Sequence, residues 1–330
     1  MRNTKHELIK IRALTNFFGI YQHGKCAEID KRFGFALEDQ ARALIVANEF
    51  GDLKLKKIYR DFIVNAYKKN GRFCQFYYED DDGDILISDD CVCSEEAMGV
   101  TLWSLLKSYK RKDKQINEIT TDLIRNTADW KHVRSLSAAL LGLSNLKRET
   151  ATEKKILNRI LKFYTDNNEE KWQWFEHCLT YANAIIPWSL WQTAKLRNNR
   201  KAEKIAEEST RFLIEKCQKN GVPLVVGCKG WHQKNECELP EFDQQPIDAA
   251  YMVCCLEAAY ETTGDKYYLD WLIKWWNWFY GNNTRGVCVI DNKGACYDGI
   301  TIEGVNENQG AESNICYLMA LAAIKRLKIA

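Results

Sequence analysis

Six short runs of this 330-residue chain bring carboxyl groups together with aromatic, amide or hydroxyl side chains, and these are the residues equipped for chemistry. They are Leu37 to Leu44 with Glu38 and Asp39, Ser94 to Trp103 with Glu95 and Glu96, Trp172 to Asn183 with Glu176, Phe242 to Asp248, Cys296 to Gly299 with Asp298, and Asn306 to Ser313 with Glu312. The densest is Trp172-Gln173-Trp174-Phe175-Glu176-His177-Cys178-Leu179-Thr180-Tyr181-Ala182-Asn183. That mixture suits a sugar: flat rings cover the apolar faces of a pyranose, while Glu, Tyr and Asn satisfy its hydroxyls.

Cleaving a glycosidic bond needs two carboxyl groups, one protonated to help the leaving oxygen depart and one ionised to activate water or attack carbon. The candidates are Glu176, Asp243, Asp39, Glu95 and Glu312. Trp172, Trp174 and Phe175 beside Glu176 would desolvate it, which favours the protonated form and suits a general acid. Asp243, at a helix start and followed by two amides, suits the base, with Asp39 as the other choice. An acid in the first turn of a helix is also what capping and the helix dipole ask for without any catalysis. Residues expected to touch substrate are Trp103, Trp174, Tyr181, Asn183, Trp231, His232, Gln244, Gln245, Asp298 and Asn308. Trp271, Trp275, Trp276 and Trp278 crowd too closely for one helix face and read as packing. His177 and His232 are the only pair a proton-abstracting sugar epimerase could use, although a lone histidine is more often structural.

Positioning such residues takes helices. Apolar side chains recur at three and four positions, there are only four prolines, and breaks fall at Gly or Asn clusters, so the chain is all-α. A first helix is expected from about His6 to Ile20, others over Leu53 to Lys69, Lys114 to Ala128, Val133 to Leu146, Thr152 to Thr165, Lys201 to Lys219 and Lys266 to Tyr280, and one at Trp174. Pro187 should kink or end that last helix by freeing the carbonyl of Asn183. Gly71 to Asp90 reads as an extended excursion, a short hairpin over a pocket. Ser94 is the N-cap of the helix at Glu95, and Pro246 opens another. Apolar helices that begin in polar clusters near Glu38, Glu95, Ser135, Glu176, Asp243 and Glu312 alternate with amphipathic ones. Six of each make six hairpins, an (α/α)6 toroid in a single domain over 1–330, with every inner helix pointing the same way and the clusters converging on one mouth.

Net charge is +2 with both signs spread along the chain, which argues against a nucleic-acid face or an anionic-lipid surface. No apolar leader or membrane-length segment stands out, so a cytoplasmic location is expected. Thirteen cysteines are an odd number without paired C-x-x-C spacing. Cys91 and Cys93 are one residue apart, and Cys254 and Cys255 are adjacent, so reduced thiols, no metal and no cofactor are expected.

The runs Leu37-Glu38-Asp39-Gln40-Ala41-Arg42-Ala43-Leu44, Ser94-Glu95-Glu96-Ala97-Met98-Gly99-Val100-Thr101-Leu102-Trp103, Trp174-Phe175-Glu176, Leu179-Thr180-Tyr181-Ala182-Asn183-Ala184, Phe242-Asp243-Gln244-Gln245-Pro246 and Asn308-Gln309-Gly310-Ala311-Glu312-Ser313 resemble a family of six-hairpin toroid proteins allied to the six-hairpin glycosidases. Its members are often fused to, or labelled as, glycosyltransferases. The resemblance implies an (α/α)6 barrel, an oligosaccharide or glycan substrate, a possible glycosyltransferase partner and no required metal. The chain departs from the family pattern at Glu38, Gln40, Met98, Val100, Asp248 and Asn314, while Asp39, Glu95, Glu176, Asp243 and Glu312 fall on its acidic positions. The expectation is a glycoside hydrolase or phosphorylase of inverting course. The alternatives are a glycan-binding module working with a transferase and a sugar epimerase.

Overall fold

The computed structural model of the protein describes residues 7–25, 28–68, 71–80, 85–87, 92–109 and 113–329, with the backbone alone for 85–87. Twelve helices lie among them. Six are buried on most sides: α2 (Leu37–Glu49), α4 (Glu95–Ser108), α6 (Val133–Ser144), α8 (Ile185–Arg197), α10 (Pro246–Thr263) and α12 (Ala311–Arg326). Every residue of α6 is buried, Arg134 at its start included. Each of the six packs on the next, and α12 returns to α2, so they close into a ring. Outside lie α3 (Leu53–Ala66), α5 (Lys114–Asn126), α7 (Ala151–Asn167), α9 (Arg200–Lys216) and α11 (Lys266–Trp278). These are amphipathic, and α5 buries only Ile116, Ile119, Thr120 and Leu123. The short α1 (Ile9–Ala13) packs on α12 and supplies its outer partner, completing an (α/α)6 toroid.

The two rings start their helices differently. All five long outer helices carry a side-chain cap: Asp52 on α3, Asp113 on α5, Thr150 with Glu153 on α7, Asn199 on α9 and Asp265 on α11. Of the inner helices only α4 has one, the expected Ser94, whose Oγ accepts from Ala97 N–H at 3.1 Å. Ala36, His132, Ala184, Gln245 and Gly310 contribute none. At the starts of α2, α6 and α12, N–H groups are met from other parts of the chain, as Leu37 N–H is by Gln75 O. Glu95 Oε2 accepts from Lys131 N–H and His132 N–H at 2.7 and 3.0 Å, and Asp298 Oδ1 accepts from Gly310 N–H at 2.7 Å. Such cross-links tie the inner-helix starts to one another at a common end.

Two predicted helices differ. The first is only Ile9–Ala13, because Asn16 Oδ1 accepts from Phe18 and Gly19 N–H and turns the chain back on itself; His6 lies outside the described residues. No helix covers Trp172 to Asn183: Trp172 Nε1 donates to Glu176 O, Asn167 Nδ2 donates to Phe175 O, and Cys178–Leu179 pairs with His232–Gln233, which uses the backbone otherwise. Pro187 lies in the first turn of α8, where a missing N–H costs little, so it neither kinks nor ends a helix.

The excursion after Gly71 holds strands Phe76–Glu79 and Ile85–Ile87, paired with each other, and the first also pairs with Phe35–Ala36. Gly34 makes this join possible, since a Cβ on its φ of +60° backbone would stand 2.1 Å from Tyr77 O. The parts of the excursion at 81–84 and 88–90, like Cys91 and Lys69, lie outside the described residues. Cys74 is disulfide-bonded, which corrects the expectation of thiols throughout, while ten other described cysteines are free. Among the described residues no helix is long and apolar enough to cross a membrane.

Candidate active site

The mouth has two halves, each organised by a buried arginine. On the α2 and α12 side, Arg42 is 2% exposed, one turn in from Glu38 and Asp39. A guanidinium so placed must be paired. Its Nη1 lies 3.2 Å from Asp39 Oδ1 and 3.1 Å from Glu312 Oε2, and its Nη2 lies 3.5 Å from Glu38 Oε2. Buried Tyr251 of α10 supports it from below through a hydrogen bond. Desolvation lifts the Asp39 carboxyl well above the usual carboxylate range, against the attraction of Arg42, and Glu312, Glu38 and Asp298 push it further. Glu312 is raised in the same way, by desolvation first, with repulsion from Glu38, Asp298 and Glu96 opposing the pull of Arg42. Its side chain is nevertheless 38% accessible, so water reaches it through the mouth.

These groups line a cavity of about 260 Å³ with Gln22, His23, Glu38, Asp39, Gln245, Asp298, Asn306, Gly310, Glu312 and Ser313 on its walls. The loop carrying Gln22 and His23 is pinned to α12: Gln22 O accepts from Ala311 N–H, and Gly24 O accepts from Gln309 N–H, each at 2.8 Å. Gly310 lets the loop lie flat, because a Cβ there would stand 2.6 Å from Gln22 O. Asp298 accepts from Gly310 N–H, from Ser313 O–H at 2.7 Å and from the Asn308 amide. That amide also lies 2.8 Å from His23 Nδ1.

On the α6 and α8 side, Arg134 stands near the start of α6. Its Nη1 donates to Glu176 Oε2 at 2.7 Å, Nη2 to Thr180 Oγ1 at 2.6 Å and Asn183 Oδ1 at 3.1 Å, and Nε to Tyr181 O at 2.8 Å. It therefore holds the irregular 176–183 segment over the mouth. Tyr181 O–H donates to Glu96 Oε2 at 2.5 Å, joining the two halves. Glu96 is raised by desolvation and drawn back by that hydrogen bond. Asp248, 6% exposed, takes backbone hydrogen bonds from Asn183 and Ala182, keeps Oδ2 without a partner, and is pushed up to about 8 by burial.

Of the expected catalytic residues, Asp39 and Glu312 meet in the cavity. Glu176 is an ion-pair partner of Arg134, not a carboxyl set among indoles, so it is not placed as an isolated acid. Glu95 is occupied by the backbone before α6. Asp243 faces Lys229 at 3.1 Å, with Oδ1 buried and unpartnered, and does not line the cavity.

Among the expected contact residues, Gln245 and Asp298 line the cavity and Asn308 touches it through Asp298 and His23, while Tyr181, within range of the charge of Glu38, and Trp231 lie outside it with ring centroids 5.9 Å apart. Trp103 and Trp174 are core residues, 1% and 0% exposed, packed edge-on against Trp188 and Phe175. Asn183 is 4% exposed and spent on Thr180 and Arg134. Gln244 is 0% exposed, held by Thr284 and Trp278. His232 is buried beneath Trp172 with Nδ1 at Glu238 O, and His177 is exposed, so they form no pair at the mouth.

Sequence reasoning missed Arg42, Arg134 and His23. The first two had a signal, a charge within a run apolar enough to be buried. His23 had none, since its place depends on a contact with Asn308, far along the chain. A larger groove, about 610 Å³ between α5 and α7, carries no carboxyl and lies away from the inner-helix starts. Among the described residues no group of three or more His, Cys, Asp or Glu could hold a metal ion.

No family model matches the chain, and no curated protein matches it in sequence. Solved structures do. Cellobiose 2-epimerase from Bacillus thermoamylovorans superposes with a TM-score of 0.72 at 13% identity, over 99% of this chain and 98% of that one. A D-mannose isomerase gives 0.70 at 12% identity over 99% and 97%. The GH76 α-mannanase of Bacteroides thetaiotaomicron gives 0.62 at 12% identity over 99% and 96%. At such identities the likeness establishes the glycosidase-like (α/α)6 toroid and nothing finer. The glycosyltransferase association implied by the resemblance has no counterpart among these three.

Proposed function

We propose that the protein is a carbohydrate-active enzyme that cleaves a glycosidic bond at the toroid mouth with a pair of carboxyl groups. The observation that carries this is the clustering of Glu38, Asp39 and Glu312 on one buried guanidinium at the wall of a polar cavity. Glu312, accessible yet raised, is the proton donor to the leaving oxygen. Asp39 shares nitrogen Nη1 with Glu312, so the two cannot stand on opposite sides of a sugar with water between them. Glu38, on the other nitrogen at 3.5 Å, is the base that takes a proton from the attacking water. An inverting course calls for about 6.5–9.5 Å between the two carboxyls. Asp39 and Arg42 set the charge around them.

Three toroids of this shape act on sugars by their names, which supports the substrate class. The test is Glu312→Gln and Glu38→Gln on a panel of oligosaccharides, with the anomer of the product followed by NMR. Each variant is expected to lose about 10²–10⁴-fold in turnover. Near-native turnover by either one removes that residue from the mechanism.

A second reading, sugar epimerisation or isomerisation, is favoured by His23 in the cavity and by the epimerase and isomerase folds above. Reaction in heavy water separates the two, since proton abstraction labels a sugar carbon and hydrolysis does not.

A further inference from the structure

The mouth cavity, at about 260 Å³, falls below the roughly 300 Å³ at which pockets begin to enclose a drug-sized molecule, so it holds one sugar ring and little more. What lies beside it is an aromatic ledge. Tyr181 is 37% exposed, is fixed by its hydroxyl to Glu96, and has the Arg134 guanidinium 5.3 Å from its ring. Trp231 follows, its ring centroid 5.9 Å from that of Tyr181 at 41°. Beyond Trp231 the surface falls into an open depression of about 690 Å³, walled by Lys216, Lys219, Glu236, Glu238 and Glu241.

Trp231 keeps a φ of +50°, a backbone state that bulky L residues rarely adopt, although Gly230 stands next to it. The half-buried indole packs on the core by one side and lines the edge of the depression by the other. Backbone strain of this kind persists where the surroundings enforce it, and it clusters at ligand sites.

We infer that Tyr181 and Trp231 form a second sugar-binding subsite from which a glycan runs on into the 216–241 depression, so that the substrate is an oligosaccharide longer than a disaccharide. The inference rests on the proposed carbohydrate function. The ledge offers ring faces to the apolar faces of a pyranose, and the mixed charges beyond it offer donors and acceptors to hydroxyls without selecting a charged sugar.

The test is calorimetric binding of gluco-, manno-, xylo- and galacto-oligosaccharides of two to six units to the full chain, in a Glu312→Gln background so that substrate survives. Affinity is expected to rise with length. Trp231→Ala should flatten that rise, with the loss on the hexaose exceeding the loss on the disaccharide by about tenfold, while Trp231→Phe keeps most of it. Circular dichroism confirms that the variants are folded. An unchanged length dependence in a folded Trp231→Ala variant overturns the subsite and leaves the enzymatic reading intact. Absence of binding at every length by the Trp231 protein, together with no turnover by the wild type, overturns both.

Discussion

Asp248→Asn exchanges a buried carboxyl for a neutral group of the same shape, and its consequence for stability depends on pH. Asp248 stands at about 8 because burial disfavours its charged form, while backbone N–H groups of Asn183 and Ala182 and the charge of Arg134 only partly restore it. In the unfolded chain the same group titrates near 3.9. Between these values the native protein keeps a proton that the unfolded chain has released, so stability falls as pH rises, by at most about 1.4 kcal/mol per pH unit. The contribution is complete below about pH 4 and lost above about pH 8. The asparagine variant has no such slope. Between about pH 5 and pH 8 it should therefore gain up to roughly 4 kcal/mol on the parent, or about half that if water reaches the carboxylate. Urea unfolding followed by tryptophan fluorescence at half-unit pH steps measures this directly. Parallel stability curves for the two proteins across that range would refute the reasoning, because they would mean that Asp248 is ionised in the native state.

Arg42→Met leaves Glu38, Asp39 and Glu312 without their common cation and should cost about 3–5 kcal/mol of stability in a neutral-pH melt. The cost should shrink on acidification, since carboxyls already raised in the native state take up protons as pH falls. Tyr181→Phe removes the 2.5 Å hydrogen bond to Glu96. It should lower kcat/KM about tenfold and, because that bond holds the Glu96 carboxyl down, move any Glu96-dependent limb of the pH profile upward. Gly34→Ala, with its Cβ against Tyr77 O, should destabilise the protein by about 3 kcal/mol in chemical unfolding.

The toroid was legible because its period is local: apolar helices beginning in acids, alternating with amphipathic ones, appear in the structure as inner and outer rings. Ser94 and Pro246 sit where capping rules put them. The mouth was legible in part. Asp39, Glu312, Gln245 and Asp298 face the cavity because first-turn positions of inner helices and the loops before them point to one end. The Trp172 to Asn183 run misled, because rings that look like a sugar platform in a helix pack into the core once the segment is extended and clamped by Arg134. Trp174 shows the cost of reading residue type without burial, and His232 shows it again. Glu176 and Asp243 were given roles from their sequence neighbours, whereas their partners, Arg134 and Lys229, are set by tertiary contacts.

The inner helices all start at the mouth, so six sets of backbone dipoles point along the ring axis and make the molecule electrically polar from end to end. Acids gather at the positive end in excess of Arg42 and Arg134, and the far end gathers cations in the last turns of α4, α8 and α12, namely Lys107, Lys195, Arg197, Lys325 and Arg326. Arg326 and Lys107 there close on Glu257 and Glu49. Both poles are therefore stitched by ion pairs between neighbouring elements of the ring, through Arg42 and Arg134 at the first and through Arg326 and Lys107 at the second.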